Sequence, residues 1–324
     1  MTNGIIIREH GNPEVMKWGP IELPEVGPKD VLIKQSVVGL NFIDIYHRSG
    51  SYPLKLPSGI GMEAVGKVVA KGDLVKDINI GDRVGYVMGS PGSYVEQRVF
   101  PAEGLIKLPE NISDEIAAAM LLKGLTVSYL INRTYKVKSG ETILFHAIAG
   151  GVGLIACQWL KQLGVTVIGT VSNGSKASLA KDYRCDHVIN YNEEDFTQRV
   201  MEITDGKGVP VVYDGVGKST FEKSLECLKT RGMMVSFGNA SGALDPVNVP
   251  KMLQPKGLFF VRPSMGQYLN TNEELNEAAK ALFEKISSGE INIEIFKKYK
   301  LDDIKQAHID LENRKIIGPA IIVP

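Results

Sequence analysis

The sequence has few cysteines, no net charge and no long apolar run, and each lack excludes a class of protein. Its 324 residues include three cysteines, far apart in the chain: Cys157, Cys185 and Cys227. They form neither a disulfide framework nor a four-cysteine zinc lobe, which indicates a reducing compartment. Lys plus Arg and Asp plus Glu number 37 each, which argues against a nucleic-acid or membrane-surface partner. Without an apolar run of about 20 residues, we expect no membrane span and a cytoplasmic protein.

The chain is long enough for two domains, since single hydrophobic cores stop growing at about 250–300 residues. Short apolar runs broken by Gly, Pro and Asp continue to about Gly124 and predict an all-β, barrel-like region. From about Leu122 strand-like and helix-like runs alternate, as in a doubly wound parallel sheet. Six strands are predicted there: Thr142–His146, Val165–Val171, His187–Tyr191, Val209–Tyr213, Met233–Phe237 and Leu258–Val261.

The residues beyond about Gly266 are too few to fold alone. They contain two predicted helices, Glu273–Ser287 and Asp302–Asn313, and a short strand, Ala320–Val323. We expect them to complete the first domain, which becomes discontinuous. The sequence therefore predicts an α/β protein in which a Rossmann cofactor-binding domain, residues 125–266, is inserted into a substrate domain formed by residues 1–124 and 267–324.

A glycine-rich turn follows the first predicted strand of the Rossmann domain. Ala147, Gly150 and Gly153 form the pattern AxxGxxG, and Ile148 stands where the GxGxxG fingerprint has its first glycine. A strand, a glycine turn and a helix in this order let the backbone approach the pyrophosphate of a dinucleotide at the helix N-terminus. We assign Gly153 to helix–sheet packing. The pyrophosphate contact is predicted for Gly150, Gly151 and Val152.

The second predicted strand ends without the carboxylate that NAD-binding domains use. In those domains an acid about 20 residues beyond the glycines binds the ribose hydroxyls. Here the strand runs into Ser172, Asn173 and Lys176, and the first acid is Asp182. A hydroxyl, an amide and an ammonium can bind a 2′-phosphate, which a carboxylate would repel. We therefore predict NADPH as the cofactor; the alternative is that Lys176 is a solvated lysine in the first turn of a helix.

The carboxyl ends of the later strands supply further candidate contacts, because ligands of open α/β sheets bind beyond those ends. The residue types found there would also suit simple turns. The candidates are Tyr191, Val216, Phe237, Gly238, Asn239, Arg262 and Ser264.

Five blocks of sequence, spread over both predicted domains, carry a family resemblance. They are Asn41-Phe42-Ile43-Asp44, Arg48-Ser49-Gly50-Ser51-Tyr52-Pro53, Leu122-Lys123-Gly124-Leu125-Thr126, Gly150-Gly151-Val152-Gly153 with Gln158 and Lys161, and Val235-Ser236-Phe237-Gly238-Asn239. Together they resemble the zeta-crystallin-type quinone oxidoreductases of the medium-chain dehydrogenase/reductase superfamily. The resemblance implies a GroES-like barrel, a Rossmann domain and a homodimer or higher homo-oligomer.

The resemblance also assigns roles to single residues. It implies that Lys176 and Tyr191 hold the adenosine end of the cofactor. It implies that the cleft near the nicotinamide is lined by Asn41, Tyr46, Tyr52, Lys123 and Thr126. The stretch from residue 41 to residue 52 is polar, bears aromatic residues and lies between strand-like runs, where a substrate loop belongs.

The zinc ligands of the related alcohol dehydrogenases are missing. Those enzymes resemble this chain but have a cysteine in the first block and Gly-His-Glu in a second. Here the two positions read Asn41 and Gly61-Met62-Glu63, and a catalytic zinc needs three protein ligands. His47 and His146 are the nearest other candidates, but a histidine at a strand end is more often structural. We predict no bound metal.

Without zinc, alcohol oxidation is disfavoured because no evident group would stabilise the alkoxide. An electron-poor acceptor needs only to be held against the nicotinamide and hydrogen-bonded at the oxygen that gains charge. We assign those hydrogen bonds to Tyr46, Tyr52 and Asn41. The predicted activity is zinc-independent reduction of quinones by NADPH. The alternatives are reduction of an α,β-unsaturated aldehyde or ketone, and NADPH binding without turnover in a crystallin-like or RNA-binding protein.

Overall fold

In the computed structural model all 324 residues are described, and they form two compact units. Unit 1 consists of Met1–Leu125, Thr271–Ser287 and Ile293–Pro324. Unit 2 consists of Thr126–Asn270 and Ser288–Asn292. The functional domain limits expected from the sequence, at 124/125 and 266/267, remain a prediction.

Sixteen strands and ten helices make up the two units, together with five short 3-10 or π turns. The strands are β1 (Thr2–Ile7), β2 (Lys17–Ile21), β3 (Asp30–Gly39), β4 (Ser58–Gly59), β5 (Ala64–Lys71), β6 (Arg83–Tyr86), β7 (Gln97–Pro101), β8 (Ile106–Lys107), β9 (Thr142–Phe145), β10 (Thr166–Val171), β11 (His187–Asn190), β12 (Val209–Asp214), β13 (Leu228–Ser236), β14 (Phe259–Val261), β15 (Lys297–Lys300) and β16 (Ala320–Val323). The helices are α1 (Phe42–Ser49), α2 (Asp114–Tyr129), α3 (Gly151–Gln162), α4 (Gly174–Asp182), α5 (Phe196–Ile203), α6 (Phe221–Cys227), α7 (Val249–Met252), α8 (Met265–Tyr268), α9 (Asn272–Ser287) and α10 (Ile304–Glu312).

Unit 2 is built on a six-stranded sheet in the order β11-β10-β9-β12-β13-β14, with every neighbouring pair parallel. The predicted Rossmann sheet of six parallel strands is therefore confirmed. Its strands read as continuous apolar runs because helices cover both faces of a parallel sheet. Strand β13 begins at Leu228 rather than at the predicted Met233, because the polar, exposed residues Lys229 to Arg231 give no strand signal in the sequence.

Unit 1 is mainly β. A seven-stranded sheet runs β15-β16-β3-β5-β6-β8, with β7 also paired to β3, and a three-stranded sheet runs β2-β1-β4. Strand β16, from the far end of the chain, pairs antiparallel with β3, so that Ile322 lies opposite Val38. The buried core of this unit combines residues from the first 105 positions with residues beyond position 298, such as Leu301 and Ile304. The carboxyl-terminal segment therefore completes the first unit.

No helix of the structure is long and apolar enough to cross a membrane.

Candidate active site

The glycine turn of unit 2 lies between β9 and α3, as the sequence predicts. Gly150 is the residue that precedes α3, and it has an extended backbone conformation. The first N–H groups of any helix lack an intrahelical acceptor, so those of Gly151 and Val152 are donors available to an anion. An added Cβ at Gly153 would lie 2.3 Å from the backbone oxygen of Ile148, which confirms that this glycine serves close packing.

The structure accommodates Ile148, which replaces the first glycine of the fingerprint. Its side chain is fully buried, and an added Cβ at Gly169 on β10 would lie 2.5 Å from its Cγ2 atom. Gly169 therefore leaves the space that Ile148 fills. The preceding residue, Ala147, has a φ of 53°, in the left-handed region that favours glycine. The glycine turn therefore forms although its first two residues, Ala147 and Ile148, carry side chains.

The residues beyond β10 form a compact polar loop. The Oδ1 atom of Asn173 accepts from the backbone N–H of Lys176 at 3.0 Å, which caps α4. The Nζ atom of Lys176 lies 3.4 Å from the hydroxyl of Ser172, and Asn192 donates its amide to the backbone oxygen of Ser172 at 2.7 Å. The backbone of Tyr191 adjoins this loop, since its N–H donates to the backbone oxygen of Val171 at 3.1 Å. Hydroxyl, ammonium and amide groups are thus brought together with no carboxylate among them.

The ends of β12 and β13 are organised by a buried carboxylate. Asp214 accepts hydrogen bonds from the N–H groups of Val216 at 2.7 Å and Gly217 at 3.1 Å, and from the hydroxyl of Thr220 at 2.8 Å. The backbone oxygen of Asp214 accepts from the N–H of Phe237 at 2.8 Å. The N–H of Val216 is occupied in this way, and its backbone oxygen accepts from the N–H and the hydroxyl of Ser241, each at 2.8 Å, so that Val216 has only its side chain to offer a ligand.

Two other predicted contacts at strand ends also have structural partners. The Nη1 atom of Arg262 donates to the hydroxyl of Ser236 at 3.0 Å and to the backbone oxygen of Gly238 at 2.9 Å, which ties β13 to the segment after β14. Ser264 is the residue that precedes α8, and its N–H donates to Gln267 at 3.2 Å. These partners fix the loop, and the cofactor contacts of Arg262, Ser264 and Asn239 remain predictions.

His146 is a structural residue. Its side chain is buried, with Nδ1 2.9 Å from the hydroxyl of Thr170 and Nε2 2.8 Å from the hydroxyl of Ser224. Burial lowers the pKa of this imidazole, which therefore stays neutral. A neutral ring held between two hydroxyls has the role that the sequence favours for a histidine at this strand end.

Unit 1 contains a buried polar cluster that begins at Asn41, the residue that precedes α1. Its Nδ2 atom donates to Oε2 of Glu63 at 2.8 Å, and its Oδ1 atom accepts from Nζ of Lys123 at 2.9 Å. The ammonium and the carboxylate are themselves 3.9 Å apart. The second oxygen of Glu63 accepts from the N–H of Leu122 at 2.7 Å. Asn41 and Lys123, predicted from separate sequence blocks, are therefore neighbours in the structure.

Burial dominates the electrostatics of this cluster. Glu63 is completely inaccessible and Lys123 is 7% exposed. Burial raises the pKa of Glu63 and lowers the pKa of Lys123, and in each case the partner's charge opposes the shift. The amide of Asn41 links the two by using its one acceptor and one of its donors. This orientation of the amide follows from its partners, since an ammonium can only donate and a carboxylate can only accept.

Two tyrosines lie within α1 and just beyond its end. The rings of Tyr46 and Tyr52 have centroids 5.1 Å apart, and the N–H of Tyr52 donates to the backbone oxygen of Tyr46 at 3.0 Å. Both side chains are half-buried. His47 packs edge-on against Tyr52, and burial lowers the pKa of its imidazole. The predicted substrate segment therefore presents two phenols side by side, while Thr126 lies buried on α2 in unit 2.

The positions where related dehydrogenases have zinc ligands hold other partners. Asn41 and Glu63 are hydrogen-bonded to each other, and Met62 supplies no metal-binding nitrogen or oxygen. No group of three or more His, Cys, Asp or Glu side chains is arranged to hold a metal ion. The absence of a metal from the working protein remains a prediction.

These features define a class of protein: a nucleotide-dependent oxidoreductase with a Rossmann unit and a separate, mainly β unit. Two family models match the chain, "Alcohol dehydrogenase GroES-like domain" over residues 27–110 and "Zinc-binding dehydrogenase" over residues 151–284. The chain belongs to the quinone oxidoreductase family of the medium-chain dehydrogenase/reductase superfamily. The predicted combination of a Rossmann domain and a GroES-like domain is thereby confirmed.

Three relatives indicate how close this membership is. A quinone oxidoreductase of Pseudomonas aeruginosa is 47% identical, with 100% of each chain covered. The crystal structure of Escherichia coli quinone oxidoreductase complexed with NADPH has 46% identity and a TM-score of 0.97, covering 99% of this chain and 100% of that one. A 2-haloacrylate reductase of a Burkholderia species is 40% identical, with 100% of this chain and 99% of that protein covered.

Several residues of the site were not singled out from the sequence. The sequence marks Glu63 only as the remainder of a zinc site and gives no signal for Asn192. Asp44 appeared only within a family block, although it is fully buried and accepts from the N–H of Asn41 at 2.9 Å. The one available signal was an acid three residues after an asparagine at the start of a helix, which is the spacing of a capping box.

Proposed function

We propose that this protein reduces quinones with NADPH and uses no zinc. The observation that carries the proposal is the full-length similarity to quinone oxidoreductases, at 47% identity for the P. aeruginosa protein. It applies to the whole chain, and so to both the Rossmann unit and the mainly β unit. Membership in a family of oxidoreductases leaves the alternative of NADPH binding without turnover unsupported.

The residues of unit 2 fit NADPH by their chemistry. The N-terminus of α3 offers N–H donors to a pyrophosphate, and its approach is open because Gly150 and Gly151 carry no side chain. The hydroxyl of Ser172 and the ammonium of Lys176 lie 3.4 Å apart, a spacing that lets both bind one phosphate group. No carboxylate accompanies them in the loop that follows β10. This donor set favours a ribose with a 2′-phosphate over one with free hydroxyls.

The residues of unit 1 provide the acceptor side of the reaction. NADPH supplies the reducing equivalents when it is bound. Tyr46 and Tyr52 donate hydrogen bonds to the quinone oxygen that gains charge, and their rings pack against its flat face. Asn41 and Lys123 supply further polar groups, and Lys123 has donors beyond the one that it uses on Asn41. Donors that are fixed before the substrate arrives stabilise developing charge without having to reorganise.

The test is oxidation of NADPH, in parallel with NADH, by purified protein treated with a chelator. The acceptors are 1,4-benzoquinone, 9,10-phenanthrenequinone and the enone hexenal. We expect turnover of quinones with NADPH, little with NADH, and no effect of the chelator. Preference for NADH, or restoration of activity by zinc alone, would contradict the proposal.

Reduction of an activated alkene is the second candidate. It is favoured by the relative named 2-haloacrylate reductase, which is 40% identical over the whole chain. Both reactions need a flat apolar slot and one polarised oxygen, so the same phenols would serve. A kcat/KM for hexenal above that for both quinones would select this candidate.

We propose in addition a cytoplasmic homodimer. Strand β14 lies at the edge of the six-stranded sheet, and its Phe259 and Phe260 side chains are 57% and 36% exposed. Exposed aromatic residues on an unpaired strand edge favour pairing with a second copy. Sedimentation equilibrium measures the mass directly, and a monomer at micromolar concentration would contradict the dimer.

A further inference from the structure

A chain of hydrogen-bonded polar side chains, buried from Arg48 onward, crosses unit 1 and ends at Asn41. It begins at Glu312 on α10, whose Oε2 atom accepts from Nη1 of Arg48 at 3.2 Å. The same Nη1 atom lies 3.1 Å from Nδ1 of His308, and Nε2 of His308 lies 3.0 Å from the hydroxyl of Tyr94. That hydroxyl donates to Oδ2 of Asp44 at 2.9 Å.

The last link reaches the candidate active site. The Oδ2 atom of Asp44 also accepts from the backbone N–H of Asn41 at 2.9 Å. The side chain of Asn41 in turn contacts Lys123 and Glu63. The orientation of Asn41 therefore depends on the position of one carboxylate, which Tyr94 and His308 hold from the other side.

Each hydrogen bond from Arg48 to Asp44 is donated in the same direction, toward Asp44. Arg48 can only donate, so Nδ1 of His308 must accept, and the ring proton of His308 is on Nε2. That proton is donated to Tyr94, which donates its own to Asp44. Burial, followed by the charge of Arg48, lowers the pKa of His308 to about 3, so the ring remains neutral.

The same order excludes a proton-conducting role. A relay from Glu312 would have to pass through the guanidinium of Arg48, which does not release a proton in proteins. Arg48 and His308 are 2% and 0% exposed, and His308 has both ring nitrogens engaged. These hydrogen-bonded side chains therefore conduct no proton, and their role is to hold Asn41 in position.

We infer that Tyr94 and His308 are positioning residues of the reaction, which hold Asn41 in place through the carboxylate of Asp44. The inference rests on the proposed function in that Asn41 serves the reacting substrate. It adds to the site His308, on α10, and Tyr94, in the loop before β7. Neither residue belongs to the family blocks or to the site predicted from the sequence.

The inference has a consequence for pH dependence. Burial raises the pKa of Asp44 to about 7, although the hydrogen bonds from Tyr94 and from the N–H of Asn41 lower it. The other charged groups that act on Asp44 are Glu63, which raises its pKa, and Lys123, which lowers it. The ionised carboxylate is the form that accepts both hydrogen bonds. Activity should therefore fall as the pH falls through about 7.

The decisive variant is Tyr94→Phe, which removes one hydroxyl and keeps the ring. Losing that hydrogen bond raises the pKa of Asp44 further, so the acidic limb of kcat against pH should move to higher pH by about one unit. At pH 7 this shift lowers the ionised fraction of Asp44 from about one half to about one tenth, so we expect kcat to fall about fivefold, with recovery above pH 8.5. The matched control is Tyr213→Phe, because Tyr213 is equally buried and its hydroxyl donates to the backbone oxygen of Tyr135 at 3.2 Å, in unit 2 and outside this hydrogen-bond chain.

A conservative pair at position 308 provides a second test. His308→Gln retains a donor and an acceptor, whereas His308→Leu retains neither. We expect the glutamine variant to keep at least five times the kcat of the leucine variant, with equal KM for NADPH. Equal activities of the two variants would contradict a positioning role.

A readout without turnover separates this inference from the proposed function. In the 1H–15N spectrum of the wild type, the N–H signal of Asn41 should titrate with the carboxyl of Asp44, near pH 7. In Tyr94→Phe the same titration should move to higher pH, and in Tyr213→Phe it should not. An Asn41 signal that does not titrate, or that is unchanged by Tyr94→Phe, overturns the inference. A wild type that titrates in this way but reduces no quinone overturns the proposed function alone.

Discussion

Replacing Lys123 with methionine tests whether the buried cluster is held by opposite charges. The side chain is 7% exposed and unbranched, so methionine fills nearly the same space without the ammonium. Glu63, which is fully buried, then loses the one cation that opposes the rise in its pKa. Removing one partner of a buried ion pair costs about 3–5 kcal/mol. Because the two charged groups are 3.9 Å apart and Asn41 lies between them, we expect the lower value, about 3 kcal/mol.

The assay is thermal unfolding at two pH values. For a unit of 150–250 residues each kcal/mol corresponds to about 2–4 °C, so Lys123→Met should lower the Tm by about 6–12 °C at pH 8. A carboxyl group whose pKa is higher in the folded state than in the unfolded state destabilises the folded state as the pH rises above the unfolded pKa, which is 4.5 for Glu63. The loss should therefore be smaller at pH 5 than at pH 8, because a lower pH favours the uncharged form of Glu63.

The double variant Lys123→Met with Glu63→Gln completes the comparison. With both charges removed, the amide of Asn41 can rotate and accept from the new amide at position 63. We expect the double variant to be more stable at pH 8 than Lys123→Met alone, so that the two changes are not additive. Additive losses, or a loss that is the same at pH 5 and pH 8, would refute the electrostatic reasoning.

Three further predictions follow from local geometry. Gly153→Ala should lower the free energy of unfolding in urea by about 1–3 kcal/mol, because the added Cβ would lie 2.3 Å from a backbone oxygen. The control Gly174→Ala, whose Cβ would have no atom within 4 Å, should lower it by less than about 0.5 kcal/mol. Ser172→Asp should raise the KM for NADPH at least tenfold and the KM for NADH much less; an equal rise would contradict the 2′-phosphate assignment. Dialysis against EDTA should leave quinone reduction unchanged, because Glu63 is occupied by Asn41 and Leu122.

The order of the Rossmann elements could be predicted because its signals are local. An apolar run, a glycine turn and an amphipathic helix are adjacent in sequence, and β9, the turn and α3 were found where they were expected. Strand β16 has the predicted bounds, Ala320–Val323, and α9 begins one residue before the predicted Glu273. Periodicity over a few residues is sufficient for such elements.

The buried polar network could not be predicted, because its contacts join distant parts of the chain. Tyr94 and His308 are 214 residues apart in sequence, and Arg48 and His308 are 260 apart. Nothing in the local pattern shows that these polar side chains are buried, and in isolation each resembles a surface residue. The family resemblance implies that Asn41 and Lys123 line one cleft, but it does not indicate that they are hydrogen-bonded, nor that Glu63 accepts from Asn41 and lies 3.9 Å from the ammonium of Lys123.

The pairing of β16 with β3 determines when unit 1 can fold during synthesis. Residues 30–39 leave the ribosome early, but their neighbour, residues 320–323, is translated nearly 300 residues later. At about 5–20 residues per second the edge of β3 waits roughly 15–60 s for its partner. The strands of the Rossmann sheet, all between residues 142 and 261, are complete before that. The strands of the cofactor-binding unit are therefore complete first. The hydrogen-bond chain that ends at Asn41 closes later, when α10 delivers His308, and the pairing of β16 with β3 follows.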